Sequence, residues 1–441
     1  MFRILLKVFR LVLLVGLLFG VLISARVSAA VPTIEVLRVH GTIVPVVADY
    51  IDRGIGQAEN RGNTIVIIEL DTPGGLLDTT ERIVQRIMNA DVPVVVYVAP
   101  KGAWAASAGT FITLAADIAV MAPGTTIGAA HPVSGSGEEI PEDQMKKITE
   151  FSAKWMKTIA QERGRNMEEA QLAVTESKSF TDVDALDFNL IDLRSDNLDS
   201  LISQINGWEI TGSDGEEIIL NTENYMLTDT EMTFIERFLH VISNPNIAYI
   251  LLSLGTLGII AEIYSPGTFF PGIAGALSLL IAFYSLGVLD AYWGGILLIM
   301  LAFGLFIGEV LTATFGLFTA GGIIALVLGS LMLFPGGSSV LQINPWLIVA
   351  VVVVVTGVFA LVISRVIRAY RRQAVTGREE LVGKTAVVRT ALKPEGTIIF
   401  KGEYWTAISE KGRVKSGEEV IITKVDGLQL YVTKKIKGAN K

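Results

Sequence analysis

The sequence predicts three parts of different structural class: an α/β domain, a helical membrane region and a small all-β barrel. Strand-type and helix-type runs alternate from residue 31 to about residue 205, as in a parallel α/β fold. Residues 238–364 contain no lysine or arginine and carry five long apolar runs. Short β-type runs separated by glycine fill residues 378–441. We therefore divide the chain at 1–30, 31–235, 236–370 and 371–441.

The first 30 residues have the pattern of a signal peptide. They begin with the basic residues Arg3, Lys7 and Arg10. An apolar stretch over 11–23 follows, and small residues then predict a cleavage site near Ala29 or Ala30. The same segment also fits an uncleaved anchor helix. With either outcome, the domain that follows is exported.

Four runs of the α/β segment predict strands, and a fifth predicts an amphipathic helix between two of them. The strand runs are TIEVLRV, NTIVIIEL, VPVVVYV and DIAVMA, and the helical run is LLDTTERIVQRIMN. Strands joined through a helix at this spacing pair in parallel. Residues 206–240 are mixed and polar, and they give no clear prediction.

Five apolar runs predict a multi-pass membrane protein. They cover residues 247–264, 270–289, 292–311, 315–334 and 346–364, and each is about long enough to cross a bilayer of ~30 Å. The arginine-rich stretch SRVIRAYRRQ follows the last run, which places that end in the cytoplasm. An exported start and a cytoplasmic end require an odd number of crossings, so we expect five. Glu262 and Glu309 lie near the ends of their runs, and their roles stay open.

The last segment predicts a small barrel of the OB type, with about five strands. It is basic: the chain from Arg365 onward has a net charge of +9, whereas the remainder has −17. Three aromatic residues, Tyr404, Trp405 and Tyr431, are too few for a groove that binds single-stranded nucleic acid. We therefore expect contact with anionic membrane lipid and no nucleic-acid partner.

Composition excludes several kinds of chemistry. The chain has no cysteine, so it has no thiol nucleophile, disulfide or thiolate metal site. It has three histidines but no HExxH motif, and no P-loop. We therefore predict an enzyme without a metal or cofactor.

Two segments of the α/β domain carry residues suited to acyl-transfer chemistry. In IIELDTPGG (67–75), a strand ends in two glycines, Gly74 and Gly75, whose N–H groups can stabilise an oxyanion, although a plain tight turn has the same sequence. In GAWAASAGTF (102–111), Ser107 stands where a helix begins, a place that suits either a helix cap or a nucleophile. Ala105 replaces the first glycine of a GxSxG motif, which argues against an α/β-hydrolase.

A serine nucleophile needs a base, and the residues alone leave two candidates, His131 and Lys147. Lys147 lies on a predicted amphipathic helix whose apolar side includes Met145, Ile148, Ser152, Trp155 and Ile159. We expect Lys147 to be half-buried, with Phe151 one turn further along, because a lysine base needs desolvation. Lys154 occupies nearly the same side of the helix, so periodicity does not separate the two lysines.

The motifs DTPGG, AASAGT, MAPGTTIGAA and KITEF…IAQERGRN, in this order, resemble the long form of the NfeD family. These are membrane-bound serine proteases of the Clp-protease class, and the exported domain also resembles signal peptide peptidase A. The resemblance covers essentially the whole chain. It implies a Clp-protease/crotonase-like α/β fold, a membrane region of about five helices and a C-terminal OB-like domain.

The resemblance implies a Ser-Lys dyad of Ser107 and Lys147, with oxyanion donors from the glycine turn, where we favour Gly75 over Gly74, and from Ala108. In soluble Clp proteases the base is a histidine, at about the same separation along the chain from its serine as His131 has from Ser107. His131 therefore stays the alternative base. The family implies stomatin- or flotillin-like membrane partners, hydrophobic segments of which are cleaved. We also expect a homo-oligomer.

Two other functions remain open at this stage. One is a non-proteolytic scaffold that assembles with stomatin- or flotillin-like proteins. The other is crotonase-type acyl-thioester chemistry, since that fold is close to the Clp type. The intact serine and lysine motifs argue against the second.

Overall fold

The computed structural model describes residue 9 and residues 32–133, 141–212, 215–312, 316–335, 342–371 and 381–435. The chain divides into two compact units, Met1–Gly357 and Val358–Lys441. The predicted signal peptide, apart from residue 9, lies outside the described residues.

A six-stranded parallel sheet in the order β11-β1-β2-β3-β5-β8 forms the centre of the α/β domain. The four predicted strand runs are confirmed as its four middle strands. β3 is buried along its whole length, as expected of a parallel strand covered on both faces. The strands of the domain are β1 (Thr33–His40), β2 (Ile65–Asp71), β3 (Val94–Val98), β4 (Trp104–Ala106), β5 (Ile118–Met121), β6 (Thr126–Gly128), β7 (Ser179–Thr181), β8 (Leu193–Arg194), β9 (Glu209–Thr211), β10 (Glu217–Ile219) and β11 (Met226–Asp229).

Helices cover this sheet, and the predicted amphipathic helix is confirmed as α2, which buries Ile83, Val84 and Ile87. The helices of the domain are α1 (Pro45–Arg61), α2 (Leu77–Met88), α3 (Ala108–Ala115), α4 (Glu142–Glu162), α5 (Met167–Thr175), α6 (Asp182–Asp187), α7 (Leu198–Gln204) and α8 (Phe234–Ile242). A second sheet, β4-β6-β7, lies beside the carboxyl ends of the main strands and carries the segment around Ser107. Residues 206–240, which gave no prediction, form β9, β10, β11 and α8.

Each predicted apolar run forms a helix. The helices are α9 (Pro245–Tyr264), α10 (Phe270–Val288), α11 (Trp293–Thr312), α12 (Leu317–Met332) and α13 (Pro345–Arg371). Within the described ranges, four of them are long and apolar enough to cross a membrane, one fewer than predicted. The exception is α12, whose 16 residues span about 24 Å at 1.5 Å per residue.

Hydrogen bonds between the ends of these helices show which ends lie together. Tyr292 N donates to Leu333 O at 3.0 Å, which joins the start of α11 to the end of α12. Asn344 N donates to Asn246 Oδ1 at 2.8 Å, which joins the start of α13 to the start of α9. Successive helices therefore run in alternating directions.

Glu262 and Glu309 stabilise the turns of two helical hairpins. Glu309, which is buried, accepts hydrogen bonds from the N–H groups of Gly316, Phe318 and Thr319 at 2.8–3.1 Å. Glu262 accepts from Gly267 N and Phe269 N, both at 3.2 Å. Each carboxylate thus satisfies amides at the start of the following helix, where unpaired N–H groups are costly.

The C-terminal segment is confirmed as a closed five-stranded barrel in the order β12-β13-β14-β16-β15. Its interior contains aliphatic side chains such as Val388, Ile398 and Ile422. The strands are β12 (Thr385–Val388), β13 (Glu395–Phe400), β14 (Glu403–Ser409), β15 (Glu419–Asp426) and β16 (Gln429–Lys434).

Candidate active site

Ser107 occupies the junction between β4 and α3 in a conformation that is rare for a residue with a side chain. Its φ is 52° and its ψ is −113°, and its side chain makes no capping hydrogen bond to α3. The helix-cap explanation of this serine is therefore wrong. Ser107 is partly exposed, and within the described part of the chain its Oγ has no hydrogen-bond partner. Strain of this kind persists only where the surroundings impose it, and it is common at functional sites.

The surroundings that impose this conformation are backbone contacts to β6. Ser107 N donates to Gly128 O at 2.9 Å. Thr110 Oγ1 accepts from Gly128 N at 2.8 Å and lies 3.0 Å from Ala105 O. Thr110 is a positioning residue that nothing in the sequence marks, because a helical threonine carries no signal that its hydroxyl meets another strand.

The glycine turn after β2 lies directly against Ser107. Gly74 has a φ of +124°, and a Cβ added there would lie 2.9 Å from Ser107 Cβ and 3.3 Å from its Oγ. Thr72 holds the turn against β4, since Thr72 N donates to Trp104 O at 2.7 Å and Ala106 N donates to Thr72 O at 3.0 Å. Backbone hydrogen bonds to β4 therefore hold the glycine turn next to the segment that carries Ser107.

The two glycine amides differ in availability. Gly74 N already donates to Thr72 Oγ1 at 3.0 Å. Gly75 forms a parallel bridge with Ile43. In this bridge Ile43 N donates to Gly74 O, and Ile43 O accepts from Leu76 N. Gly75 N points away from that bridge, and neither it nor Ala108 N donates to any residue the structure describes. Among the described residues, these two amides are therefore the ones in the glycine turn and after Ser107 that have no acceptor.

Lys147 lies in the second turn of α4, and the structure corrects its expected environment. Both Lys147 and Phe151 are exposed, the latter by 62%, so the predicted half-burial of the lysine is absent. No hydrogen bond joins Lys147 Nζ to Ser107 Oγ. Lys154 is exposed as well. Helix α3, which follows Ser107, nevertheless packs against α4, because Phe111 of α3 stacks on Trp155 of α4 with ring centroids 4.6 Å apart.

His131, the alternative base, has one ring nitrogen already engaged. Its Nδ1 lies 3.0 Å from Val174 O. A carbonyl can only accept, so Nδ1 is the donor of this contact, and Nε2 is the ring nitrogen left for the role of base. Among the described residues, His131 makes no hydrogen bond to Ser107 either. The structure thus brings Ser107 together with Gly74, Gly75 and Ala108, but it leaves both candidate bases unpaired with the serine.

No cluster of three or more histidine, aspartate or glutamate side chains that could hold a metal ion occurs among the described residues.

Family models match three consecutive parts of the chain. A model for the N-terminal domain of NfeD1b matches residues 33–225. A model for the NfeD integral membrane domain matches 246–365, and one for the NfeD-like C-terminal, partner-binding domain matches 378–434.

A curated relative and two solved structures resemble the chain. The membrane-bound protease PH1510 of Pyrococcus horikoshii is 37% identical over 418 residues, which cover 92% of this chain and 94% of the relative. The structure of 1510-N, a membrane protease specific for a stomatin homolog from Pyrococcus horikoshii, is 33% identical and covers 49% of this chain and all of its own, with a TM-score of 0.43. ClpP1 from Listeria monocytogenes is 22% identical and covers 38% of this chain and 94% of its own, with a TM-score of 0.32.

Proposed function

Since this chain belongs to the NfeD family of membrane-bound proteases, we propose that it is a serine endopeptidase with Ser107 as nucleophile and Lys147 as general base. The observation that carries the proposal is the strained Ser107 backbone, which leaves Oγ free beside the glycine turn. A serine that served only as a helix cap would not need this conformation.

The chemistry follows from these atoms. Ser107 Oγ attacks the carbonyl carbon of the peptide bond while the neutral Lys147 amine takes its proton. The carbonyl oxygen becomes an oxyanion, and the N–H groups of Gly75 and Ala108 donate to it. Lys147 then gives the proton to the leaving amine as the C–N bond breaks. Water, activated by the same amine, hydrolyses the acyl-serine and restores Ser107.

Because Lys147 is exposed and makes no hydrogen bond to Ser107, the proposal requires that the dyad forms when the substrate binds. A peptide lying across Ser107 would remove water from the start of α4, and a lysine amine needs such desolvation to act as a base. Large apolar side chains are exposed on each segment that carries a candidate residue: Trp104 before Ser107, Val133 after His131 and Phe151 after Lys147. Such surfaces favour an apolar peptide segment as the substrate.

The partner and substrate class is a stomatin- or flotillin-like membrane protein. The solved domain from Pyrococcus horikoshii is described as specific for a stomatin homolog, and we extend that substrate class to this chain. The family model for residues 378–434 describes a partner-binding domain, so the barrel is the element that holds this partner.

We place the α/β domain outside the cytoplasm and the barrel inside it. Although α12 is short, it runs back along α11. It begins after Gly316, which lies beside the end of α11, and it ends before Leu333, which lies beside the start of α11. We therefore propose that α12 crosses in addition to the four long helices, so that the chain changes sides five times between α9 and α13. The arginines at the end of α13 then mark the cytoplasmic side.

Cleavage of a synthetic apolar peptide by the full-length protein in nanodiscs tests the catalytic assignment. We expect Ser107→Ala and Lys147→Ala to abolish cleavage, whereas Lys154→Ala, on nearly the same side of the helix and also exposed, retains it. If Lys147→Ala retains cleavage and His131→Ala loses it, His131 and not Lys147 is the general base. Cleavage retained in Ser107→Ala would show that another residue is the nucleophile, whereas absence of cleavage by the wild-type protein would favour the scaffold function.

A further inference from the structure

Helix α8 carries large apolar side chains that no described residue covers. Phe234 is 85% exposed and Ile235 is 67% exposed, and Phe238 and Val241 are exposed with them. These positions follow an i, i+1, i+4, i+7 spacing, so they share one side of the helix. A contiguous exposed apolar surface of this kind marks a binding face.

The position of α8 in the chain identifies what this face meets. Only Ser243 and Asn244 separate α8 from α9, the first membrane span. Ser285 Oγ of α10 donates to Ile242 O, which fixes the end of α8 to the membrane helices. The apolar side of α8 therefore lies at the level where the chain enters the bilayer.

Two exposed tryptophans mark the same level. Trp293 is the first residue of α11 and is 71% exposed, and Trp346 is the second residue of α13 and is 81% exposed. The bond from Asn344 to Asn246 places the start of α13 beside the start of α9. Ser330 Oγ near the end of α12 donates to Tyr249 OH near the start of α9, and the end of α12 lies beside the start of α11, so Trp293 is at the same end of the bundle. Tryptophan is enriched at the interface between membrane and water, since its ring is amphipathic.

The opposite side of α8 is bound to the α/β domain. Arg53 of α1 donates to both carboxylate oxygens of Glu236, at 2.8 and 2.7 Å. His240 packs against Gly41, where an added Cβ would lie 3.7 Å from its ring. Ile43, two residues after Gly41, forms backbone hydrogen bonds with the glycine turn of the candidate active site.

We propose that α8 is a membrane-surface helix whose apolar side inserts into the lipid interface while its polar side holds the α/β domain. Lipid is the occupant because the chain enters the bilayer two residues after α8, so this face cannot leave the membrane surface. The helix thereby keeps the glycine turn at a fixed height above the bilayer. This inference rests on the membrane spans and not on the proposed peptide chemistry.

Depth measurement by electron paramagnetic resonance tests the proposal without disturbing the core. The chain contains no cysteine, so a spin label can be attached to Phe234→Cys or Phe238→Cys in the otherwise unchanged full-length protein. Leu186→Cys, an exposed apolar position on α6, is the matched control. The protein is held in nanodiscs of phosphatidylcholine and phosphatidylglycerol, and collisions with oxygen and with a water-soluble nickel chelate are compared.

We expect the labels at 234 and 238 to collide with oxygen and to lose access to nickel, at about 5–10 Å below the headgroup boundary. The label at 186 should be open to nickel. Equal nickel access at 186, 234 and 238 would overturn the proposal. Protection of 234 and 238 from both reagents would indicate a protein on this face and would overturn it as well. Peptide cleavage is not read, so failure of the catalytic proposal leaves this result unaffected.

Discussion

Substitution of Gly75 by alanine tests how closely the glycine turn must be positioned. The added Cβ would lie 2.1 Å from Ile43 O and 2.6 Å from Ile43 N. An ordinary contact needs at least 3.4 Å, so the turn must move by about 1 Å, and a displacement of that size costs on the order of 100-fold in rate. Overpacking of this kind also lowers the free energy of unfolding by about 1–3 kcal/mol.

The assay is the turnover number for peptide cleavage in nanodiscs, measured together with thermal unfolding. Gly102→Ala is the control, since Gly102 has a φ of +86° and open space around it. Its strain costs about 1–2 kcal/mol, yet it moves no part of the site. We expect Gly75→Ala to lose turnover and Gly102→Ala to keep it at comparable thermal stability. Full turnover in Gly75→Ala would refute the role of this turn.

Three further predictions concern the elements around the site. Trp155→Ala removes the stack on Phe111 and should lower the free energy of unfolding by at least about 0.5–1.5 kcal/mol, with a fall in cleavage that Trp155→Phe restores. Asp192→Ala leaves the buried Arg165 without its ion-pair partner, so chemical denaturation should show a loss of about 3–5 kcal/mol. Burial opposes ionisation of Glu236, but hydrogen bonds from Arg53 and from the start of α8 lower its pKa. The stability from this carboxylate is present above its unfolded pKa of about 4.3 and is lost as pH falls through the lower folded value, a dependence that Glu236→Gln should remove.

Local patterns were enough to predict much of this molecule. The strand runs of the central sheet, the amphipathic α2 and the five apolar helices follow from periodicity and length. Ser107 and the glycine turn were selected as candidates because both follow strand ends, where a parallel sheet brings loops together. The structure places them side by side, and their catalytic roles stay proposals.

Features that depend on packing escaped the sequence. The exposure of Lys147 could not be read from a helical wheel, which shows sides of a helix but not what covers them. The role of Thr110 depends on a hydrogen bond to Gly128, 18 residues along the chain. Helix α8 did carry a signal in FIERFLHVI, yet the polar residues before it made the whole region look mixed.

Labelling with a serine-reactive phosphonate, followed by mass spectrometry of the modified peptide, tests the central claim most directly. The wild-type protein in nanodiscs should be modified at Ser107. Modification should be lost in Lys147→Ala and kept in Lys154→Ala, because only the first removes the base. A preparation that cleaves peptide while Ser107 stays unmodified would contradict the account.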